Sequence, residues 1–418
     1  MSEAALVEGT GAGEAATGRL LWEACRRRPD PTALRRAVEA RPDPAVVFSA
    51  AMVHGLVPML WRALCGAGVG DAMGEWAEQF EQVTQVRRLE AMLLLPRAVA
   101  QAVVPLTDIG LEPLVFKGPV VAARYPEPGM RAMEDLDLYL PRRQHGAALA
   151  ALERAGWDVV RPAAYDRYDR VLRHPDVPAL VLELHYGFEA WYKRVTAVDA
   201  EELWRRRVPV DCLGTSAFGL PPAEEIVALA QHAGKPFHSF TRLVWIADLG
   251  MVVGDCEERE RGPGIDWDAV RALAEAGRCT TVVRCALAMA ARIGVDAPVD
   301  RWGSVGPPWR AASLARLVDD GWPLRCGDEE AFDLRFALAD SALRRLGLLV
   351  GSRYVRSEVG FGTWALDVPG ETMSRCLRWR RSRRCSRPGG PGLLEGVAGA
   401  PGAPGAPEAR LVAADEDL

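Results

Sequence analysis

Apolar positions recur at helical spacing over most of the first 103 residues. Residues 20, 21 and 25, and then residues 33, 34, 37 and 38, are apolar at helical spacing, which is typical of amphipathic helices. Residues 46–64 predict another helix with one apolar face. Residues 75–103 also have apolar residues at helical spacing, and Pro96 marks a kink or a break within this stretch. The N-terminal part of the chain is therefore predicted to be helical.

The spacing of the apolar residues changes near residue 104, from helical to strand-like. Residues 111–116 form a short apolar run that ends at Lys117 and Gly118, which predicts a strand followed by a turn. Residues 135–140 and 180–185 alternate polar and apolar side chains, so each predicts a strand with one apolar face. Helical spacing returns from about residue 220. It predicts helices over residues 222–232, 241–253, 267–277, 280–293 and 328–350.

This order of elements predicts an α/β (α+β) fold, with a small mixed sheet flanked by N- and C-terminal helical regions. The chain ends in a strongly basic stretch, residues 375–387, and then a Gly/Ala/Pro-rich one. A solvated tail is the favoured interpretation of the basic stretch, and a nucleic-acid or anionic-membrane patch is the alternative. The predicted divisions are a disordered N-terminus (1–18), a helical region (19–103), the α/β core (104–210), a second helical region (211–370) and a disordered tail (371–418).

Composition excludes some classes of protein. The 418 residues carry a formal net charge of −5, whereas nucleic-acid binders show a basic excess. We find no apolar run near the roughly 18–20 residues that span a bilayer, and no signal peptide at the N-terminus. The nine cysteines are scattered without a C-x-x-C pair, which favours reduced thiols. We therefore expect a cytoplasmic protein without a membrane span, for which nucleic acid is not the expected partner.

Lysine is rare in this chain, which has 48 arginines, no asparagine, and lysines only at Lys117, Lys193 and Lys235. Such a bias replaces lysine by arginine wherever either residue serves. A lysine that remains marks a position that needs a compact ammonium. Lys117 and Lys235 both fall within the motifs described below.

The strand over residues 135–140 carries the clearest chemical signal. Asp135 and Asp137 are two positions apart, so both carboxylates project from one face of the strand. Like charges held this close favour a bound cation, and hard carboxylate oxygens suit Mg²⁺. The bland alternative is a pair of solvated residues on an edge strand.

Several short motifs in one order resemble the nucleotidyltransferase fold of the polymerase-beta type. The closer resemblance is to a large, poorly characterised bacterial branch of that superfamily, and it covers about residues 46–250. The matching motifs are Phe116-Lys117-Gly118, Tyr125-Pro126, Arg131 through Leu138, Glu183-Leu184-His185, His232 through Lys235, and Leu243 through Asp248.

The resemblance implies a role for each of these motifs. Asp135, Asp137 and Glu183 would be the catalytic residues and would hold one or two Mg²⁺ ions, with Glu183 alternatively serving as the base. Lys117, Gly118 and Arg131 would bind the nucleotide. Four residues are candidates for supporting those groups or for contacting the acceptor: His185, His232, Lys235 and Asp248.

Two prolines depart from the family pattern. Pro119 follows Gly118, where the superfamily favours a serine whose hydroxyl contacts phosphate. Pro236 replaces one histidine of an H-x-x-K-H motif, and His238 follows two positions later. The sequence does not tell whether Pro119 and Pro236 impair activity.

The leading hypothesis is a Mg²⁺-dependent nucleotidyltransferase that moves a nucleoside monophosphate from an NTP, with ATP expected, and releases pyrophosphate. The acceptor would be a small molecule, such as a natural-product intermediate, or a protein side chain. The alternative is a catalytically degenerate member of the fold that binds a nucleotide or a protein partner. Acceptor, nucleotide base and oligomeric state stay open.

Overall fold

The computed structural model confirms a mixed α/β fold in which helices flank one sheet. All bounds and contacts below concern the described residues, which belong to one compact unit, Met1–Val359. The described ranges are 3–133, 135–160, 169–178, 180–187, 196–235, 238–258, 264–298, 302, 308–325 and 337–340. The predicted helix over residues 328–350 lies largely outside these ranges, and the predictions for residues 351–418 and for Pro236 lie wholly outside them.

The N-terminal region consists of helices, as the apolar spacing predicts. They are α1 (Glu3–Ala24), α2 (Pro31–Glu39), α3 (Pro44–His54), α4 (Val57–Gly66), α5 (Ala77–Leu89) and α6 (Leu95–Thr107). A 3₁₀ turn over Gly70–Trp76 precedes α5, and a π-helical segment over Glu90–Leu94 joins α5 to α6.

Two details differ from the expectations. Residues 46–64 fall in two helices instead of one, because Gly55 adopts a left-handed conformation (φ 69°) that ends α3. Helix α1 begins within the stretch expected to be disordered, and Ala16, Leu20 and Leu21 are buried in the helical core. The small residues that suggested disorder also allow close helix packing. The remaining domain boundaries stay predictions.

The sheet has seven strands in the order β3-β4-β5-β2-β1-β7-β6. Strand β2 pairs in parallel with β5 and antiparallel with β1, so the two strands expected to carry carboxylates are neighbours. The sequence analysis missed β3, β4 and the β6–β7 hairpin. The strands are β1 (Leu114–Val115), β2 (Asp135–Tyr139), β3 (Asp158–Val159), β4 (Asp169–Arg173), β5 (Val181–His185), β6 (Val208–Cys212) and β7 (Thr215–Gly219).

Three shorter helices accompany the sheet, and six follow it. The first three are α7 (Gly118–Ala122), α8 (His145–Arg154) and α9 (Ala200–Arg205). The others are α10 (Pro222–Gly234), α11 (Val244–Glu258), α12 (Trp267–Ala276), α13 (Thr280–Arg292), α14 (Pro308–Ala315) and α15 (Trp322–Arg325).

The apolar side chains form two large clusters. One joins the N-terminal helices to α10, α11 and α13, so helices that precede the sheet and helices that follow it share a core. The other covers one face of the sheet, where Leu136, Leu138 and Leu184 pack with α6 and α8. The opposite face of β2 and β5 is left for polar side chains.

The helical stretch Gly70–Thr107 is long and apolar enough, by length and composition alone, to cross a bilayer. This finding differs from our expectation that the chain has no such run. A third (33%) of the most apolar window is buried, and Val99 and Val103 of α6 belong to the sheet core. Length and composition alone do not establish a membrane span.

Candidate active site

The turn after β1 positions Lys117 in an uncommon backbone conformation. Its φ is 58° and its ψ is −142°, in a region that residues with a side chain rarely adopt. Gly118 follows with φ +24°, and a β-carbon there would lie 3.1 Å from the sulfur of Met133. Glycine therefore allows the turn to approach the segment before β2 closely.

Strands β2 and β5 bring the carboxylates together. The alternation predicted for β2 is confirmed, because its leucines enter the sheet core while Asp137 points to the other face. The parallel register places Asp137 directly opposite Glu183. Asp135 is two positions from Asp137 on β2, and His185 is two positions from Glu183 on β5, so each lies on the same face as its neighbour. We call Lys117, Asp135, Asp137, Glu183 and His185 the carboxylate cluster.

Asp137 lies at the centre of this cluster and is 1% exposed. Lys117 Nζ is 2.9 Å from one of its oxygens, and His185 Nε2 donates to the other at 2.8 Å. His185 Nε2 is also 3.2 Å from a carboxylate oxygen of Glu183. Burial alone would raise the pKa of Asp137, but Lys117 and His185 hold it below its ordinary value.

The other members of the cluster respond to the same charges. Burial alone would lower the pKa of His185, but its bonds to Asp137 and Glu183 raise it to about 9, so the ring is protonated at neutral pH. Asp137, and then burial, raise the pKa of Asp135. The pKa of Glu183 is lowered by the bond from His185, against the effect of burial. Three carboxylates thus face two cations.

This donor set suits a hard divalent cation. One ligand atom each from Asp137, Glu183 and His185 lie within 4.8 Å of one another. In the protonated state that its bonds to Asp137 and Glu183 favour, the His185 ring donates hydrogen bonds, which leaves the carboxylates as the donors to a metal. Asp135 adds a third carboxylate whose repulsion from Asp137 a cation would relieve. Carboxylate oxygens of this kind favour Mg²⁺ over softer metals.

A second polar group contacts the ammonium of Lys117 from α10. Nδ1 of His232 on α10 accepts from Lys117 Nζ at 3.1 Å, since an ammonium can only donate. Burial and the charge of Lys117 hold the pKa of His232 well below its ordinary value. Burial and the charge of Lys235 lower the pKa of His238 to about 2. The His238 ring stacks on Trp245 at 4.3 Å.

The structure places Arg131 in an ion pair with Asp248 of α11. Arg131 Nε and Nη2 lie 3.2 Å and 3.0 Å from the two carboxylate oxygens. The hydroxyl of Tyr125 donates to the same carboxylate at 2.7 Å, and Arg131 Nη1 donates to the carbonyl of Ala132 at 2.7 Å. We call Tyr125, Arg131 and Asp248 the Arg131–Asp248 clamp. It joins the segment before β2 to the helical core, and the nucleotide-binding role of Arg131 stays a prediction.

Sequence reasoning missed two contributors to this region. Tyr125 was part of a motif, and its position before Pro126 is the only signal that could have drawn attention to its side chain. Arg124 pairs with Glu225 and Asp255 and thus links the turn after α7 to α10 and α11. Acidic residues in the first turn of a helix are common, so nothing in the sequence distinguishes Glu225.

Comparison with known protein families gives one match. Residues 41–294 match the family described as "Uncharacterised nucleotidyltransferase". Comparisons with curated proteins and with solved structures give no match to this chain. The matched segment contains both polar clusters and makes up more than half of the 418 residues. The chain therefore belongs to this uncharacterised nucleotidyltransferase family.

Proposed function

We propose that this protein is a Mg²⁺-dependent enzyme that transfers a nucleoside monophosphate from an NTP, with ATP expected, to an acceptor and releases pyrophosphate. The observation that carries the proposal is the convergence of Asp135, Asp137 and Glu183 on one sheet face beside the ammonium of Lys117. Nucleotidyl transfer needs cations to neutralise the triphosphate and carboxylates to hold those cations.

Each residue of the carboxylate cluster has a role in this proposal. Asp135, Asp137 and Glu183 hold the ion, and when bound it supplies positive charge to the phosphate oxygens. Lys117 adds a further positive charge at the turn, where Gly118 allows close approach of the phosphates. The protonated His185 fixes the orientation of Asp137 and Glu183.

The broader placement is also a proposal. The motif order supports membership of the polymerase-beta-like superfamily and a bacterial origin, and the scattered cysteines support a location in the cytoplasm. The acceptor would be a small molecule, as in natural-product biosynthesis, or a protein side chain. The contact of His232 with Lys117 supports a role for His232 and Lys235, at the end of α10, in binding the acceptor or the triphosphate.

A second candidate function is binding of a nucleotide or a protein partner without catalysis. The observation that favours it is the state of Asp137, whose two oxygens are already bonded to Lys117 and His185. Such a satisfied carboxylate can serve structure alone. Pro119, which has neither a hydroxyl nor an N–H to offer a phosphate, points in the same direction.

The deciding experiment is calorimetric titration of ATP, GTP, CTP and UTP, with Mg²⁺ and with EDTA, followed by an assay of pyrophosphate release. We expect Mg²⁺-dependent binding of one NTP that Asp135→Asn and Glu183→Gln weaken strongly. Asp268→Asn, at an exposed carboxylate of α12, is the matched control. Binding without pyrophosphate release across an acceptor panel would favour the non-catalytic candidate, and binding indifferent to EDTA and to Asp135→Asn would remove the metal site.

A further inference from the structure

The carboxylate cluster contains its own counter-ion. Lys117 Nζ lies 2.9 Å from Asp137, and the two side chains are 6% and 1% exposed. Attraction between charges buried to this extent is weakly screened by water and salt. A divalent cation that binds Asp137 must therefore compete with an ammonium that already occupies one of its oxygens.

The ammonium has a second anchor that carries no charge. His232 Nδ1 accepts from Lys117 Nζ at 3.1 Å, and the His232 ring packs edge-on against Trp245 and His238. A neutral acceptor holds the lysine in place without neutralising it. The lysine can therefore leave Asp137 and still keep one hydrogen bond to α10.

The backbone of Lys117 supports the view that this geometry has a function. Its φ of 58° with ψ of −142° suits glycine, yet the chain has lysine at this position. Strained residues of this kind persist where the surrounding structure holds them and are concentrated at functional sites. Here the strained turn directs the ammonium between Asp137 and His232.

We propose that Lys117 is an internal counter-ion that opposes divalent-cation binding at Asp137 until a nucleoside triphosphate draws the ammonium onto its phosphates. The inference rests on the proposed function, because it takes the nucleotide as the ligand of this site. Phosphate oxygens are strong acceptors for a lysine ammonium. Because coupling between two ligands is reciprocal, the nucleotide would raise the affinity for the cation and the cation would raise the affinity for the nucleotide by the same factor.

The test measures Mn²⁺ binding by electron paramagnetic resonance and calorimetry, with and without a non-hydrolysable NTP. In the wild type we expect Mn²⁺ alone to bind weakly and the NTP to tighten it. In Lys117→Met we expect Mn²⁺ alone to bind about tenfold tighter or more, since a neighbouring charge shifts a carboxylate equilibrium by about that factor. The same variant should bind the NTP more weakly.

Two controls isolate the charge of Lys117. Lys117→Arg keeps a cation and should keep weak Mn²⁺ binding, while Arg205→Met removes a cation from the exposed surface of α9 and should change neither affinity. Circular dichroism establishes whether each variant is folded. If Lys117→Met does not fold, the test is the Mn²⁺ affinity of the wild type with and without the NTP. An NTP that leaves this affinity unchanged overturns the proposal.

Folded Lys117→Met that binds Mn²⁺ no more tightly than the wild type also overturns it. Failure of the proposed function gives a different result. If Mn²⁺ and the NTP bind cooperatively but no nucleoside monophosphate is transferred to any acceptor tested, the enzyme hypothesis loses support while the counter-ion role of Lys117 stands.

Discussion

The carboxylate cluster and the Arg131–Asp248 clamp are each centred on a carboxylate that is 1% exposed, yet they differ in their balance of charge. In the clamp one guanidinium meets one carboxylate, and the Tyr125 hydroxyl completes the set. In the carboxylate cluster three carboxylates meet two cations, and Asp137 raises the pKa of Asp135. A balanced pair fixes geometry, whereas a cluster short of positive charge is suited to receive a cation.

The largest effect on stability is expected from breaking the clamp. Asp248→Ala leaves the buried Arg131 guanidinium without its counter-charge, which costs about 3–5 kcal/mol of unfolding free energy. Urea denaturation followed by circular dichroism measures it. Asp268→Ala, at an exposed carboxylate, should stay within about 0.5 kcal/mol of the wild type. A loss below 1 kcal/mol for Asp248→Ala would contradict a structural role for the clamp.

The same kind of change in the carboxylate cluster should affect activity instead. Asp135→Asn removes the repulsion from Asp137, so we expect unfolding free energy equal to or above that of the wild type. Nucleotidyl transfer should fall by more than about 100-fold, the upper range for residues that only support a metal ligand. Urea denaturation tests the expected stability, and a pyrophosphate-release assay on the same samples tests the expected loss of activity. A destabilised but active Asp135→Asn would reverse the contrast between the two clusters.

Tyr125→Phe sharpens the comparison within the clamp. The hydroxyl donates to a charged carboxylate, and losing such a bond costs about 1.5–3 kcal/mol. In a double-mutant cycle the cost should shrink when Asp248 is already alanine, because the acceptor is then absent. Equal costs in both backgrounds would mean that Tyr125 acts independently of Asp248.

Two buried histidines, one in the carboxylate cluster and one in the helical core, differ in their protonation. His185 is protonated in the carboxylate cluster, whereas burial lowers the pKa of His54 in the helical core. His54 Nδ1 accepts from the Leu243 amide at 3.2 Å, and Nε2 donates to the Pro323 carbonyl at 2.7 Å. Both bonds together fix the neutral tautomer of His54.

Because the pKa of His54 is lower in the folded protein, only the unfolded chain gains its proton just below pH 6.5. His54 should therefore contribute stability above pH 6.5 that is lost by up to about 1.4 kcal/mol per pH unit as the pH falls. Denaturation between pH 7 and pH 5 measures the slope of the whole protein, to which His232 and His238 contribute with the same sign, and His54→Gln should reduce it by the share of His54. An unchanged slope would show that His54 is not the group being titrated.

The sequence was sufficient to predict the features that depend on the local spacing of apolar and polar residues. The alternation of leucine and carboxylate over β2 gave its apolar face, and the turn at Lys117 followed from the end of an apolar run. The sequence could not predict that Arg131 pairs with Asp248, since 117 positions separate them and Arg131 was expected to bind the nucleotide. Pairing over such distances is decided by tertiary packing.

The missed elements have physical reasons of their own. Strand β4 lacks a regular apolar alternation, and Pro209 within β6 argues against a strand, so the sequence pattern does not reveal either of them. The break at Gly55 depends on a left-handed residue whose context only the fold provides. The π-helical segment Glu90–Leu94, just before Pro96, was anticipated only as a kink or a break.

The register between β2 and β5 also ties chemistry to the order of folding. Asp137 and Glu183 meet only after two parallel strands, separated by more than forty residues of chain, have paired. A slip of one residue would turn β2 over and point its carboxylates into the leucine core. Parallel pairing of distant segments is among the slower steps in folding. During refolding, divalent-cation affinity should therefore appear late, after most helical signal has formed, and report directly on correct strand register.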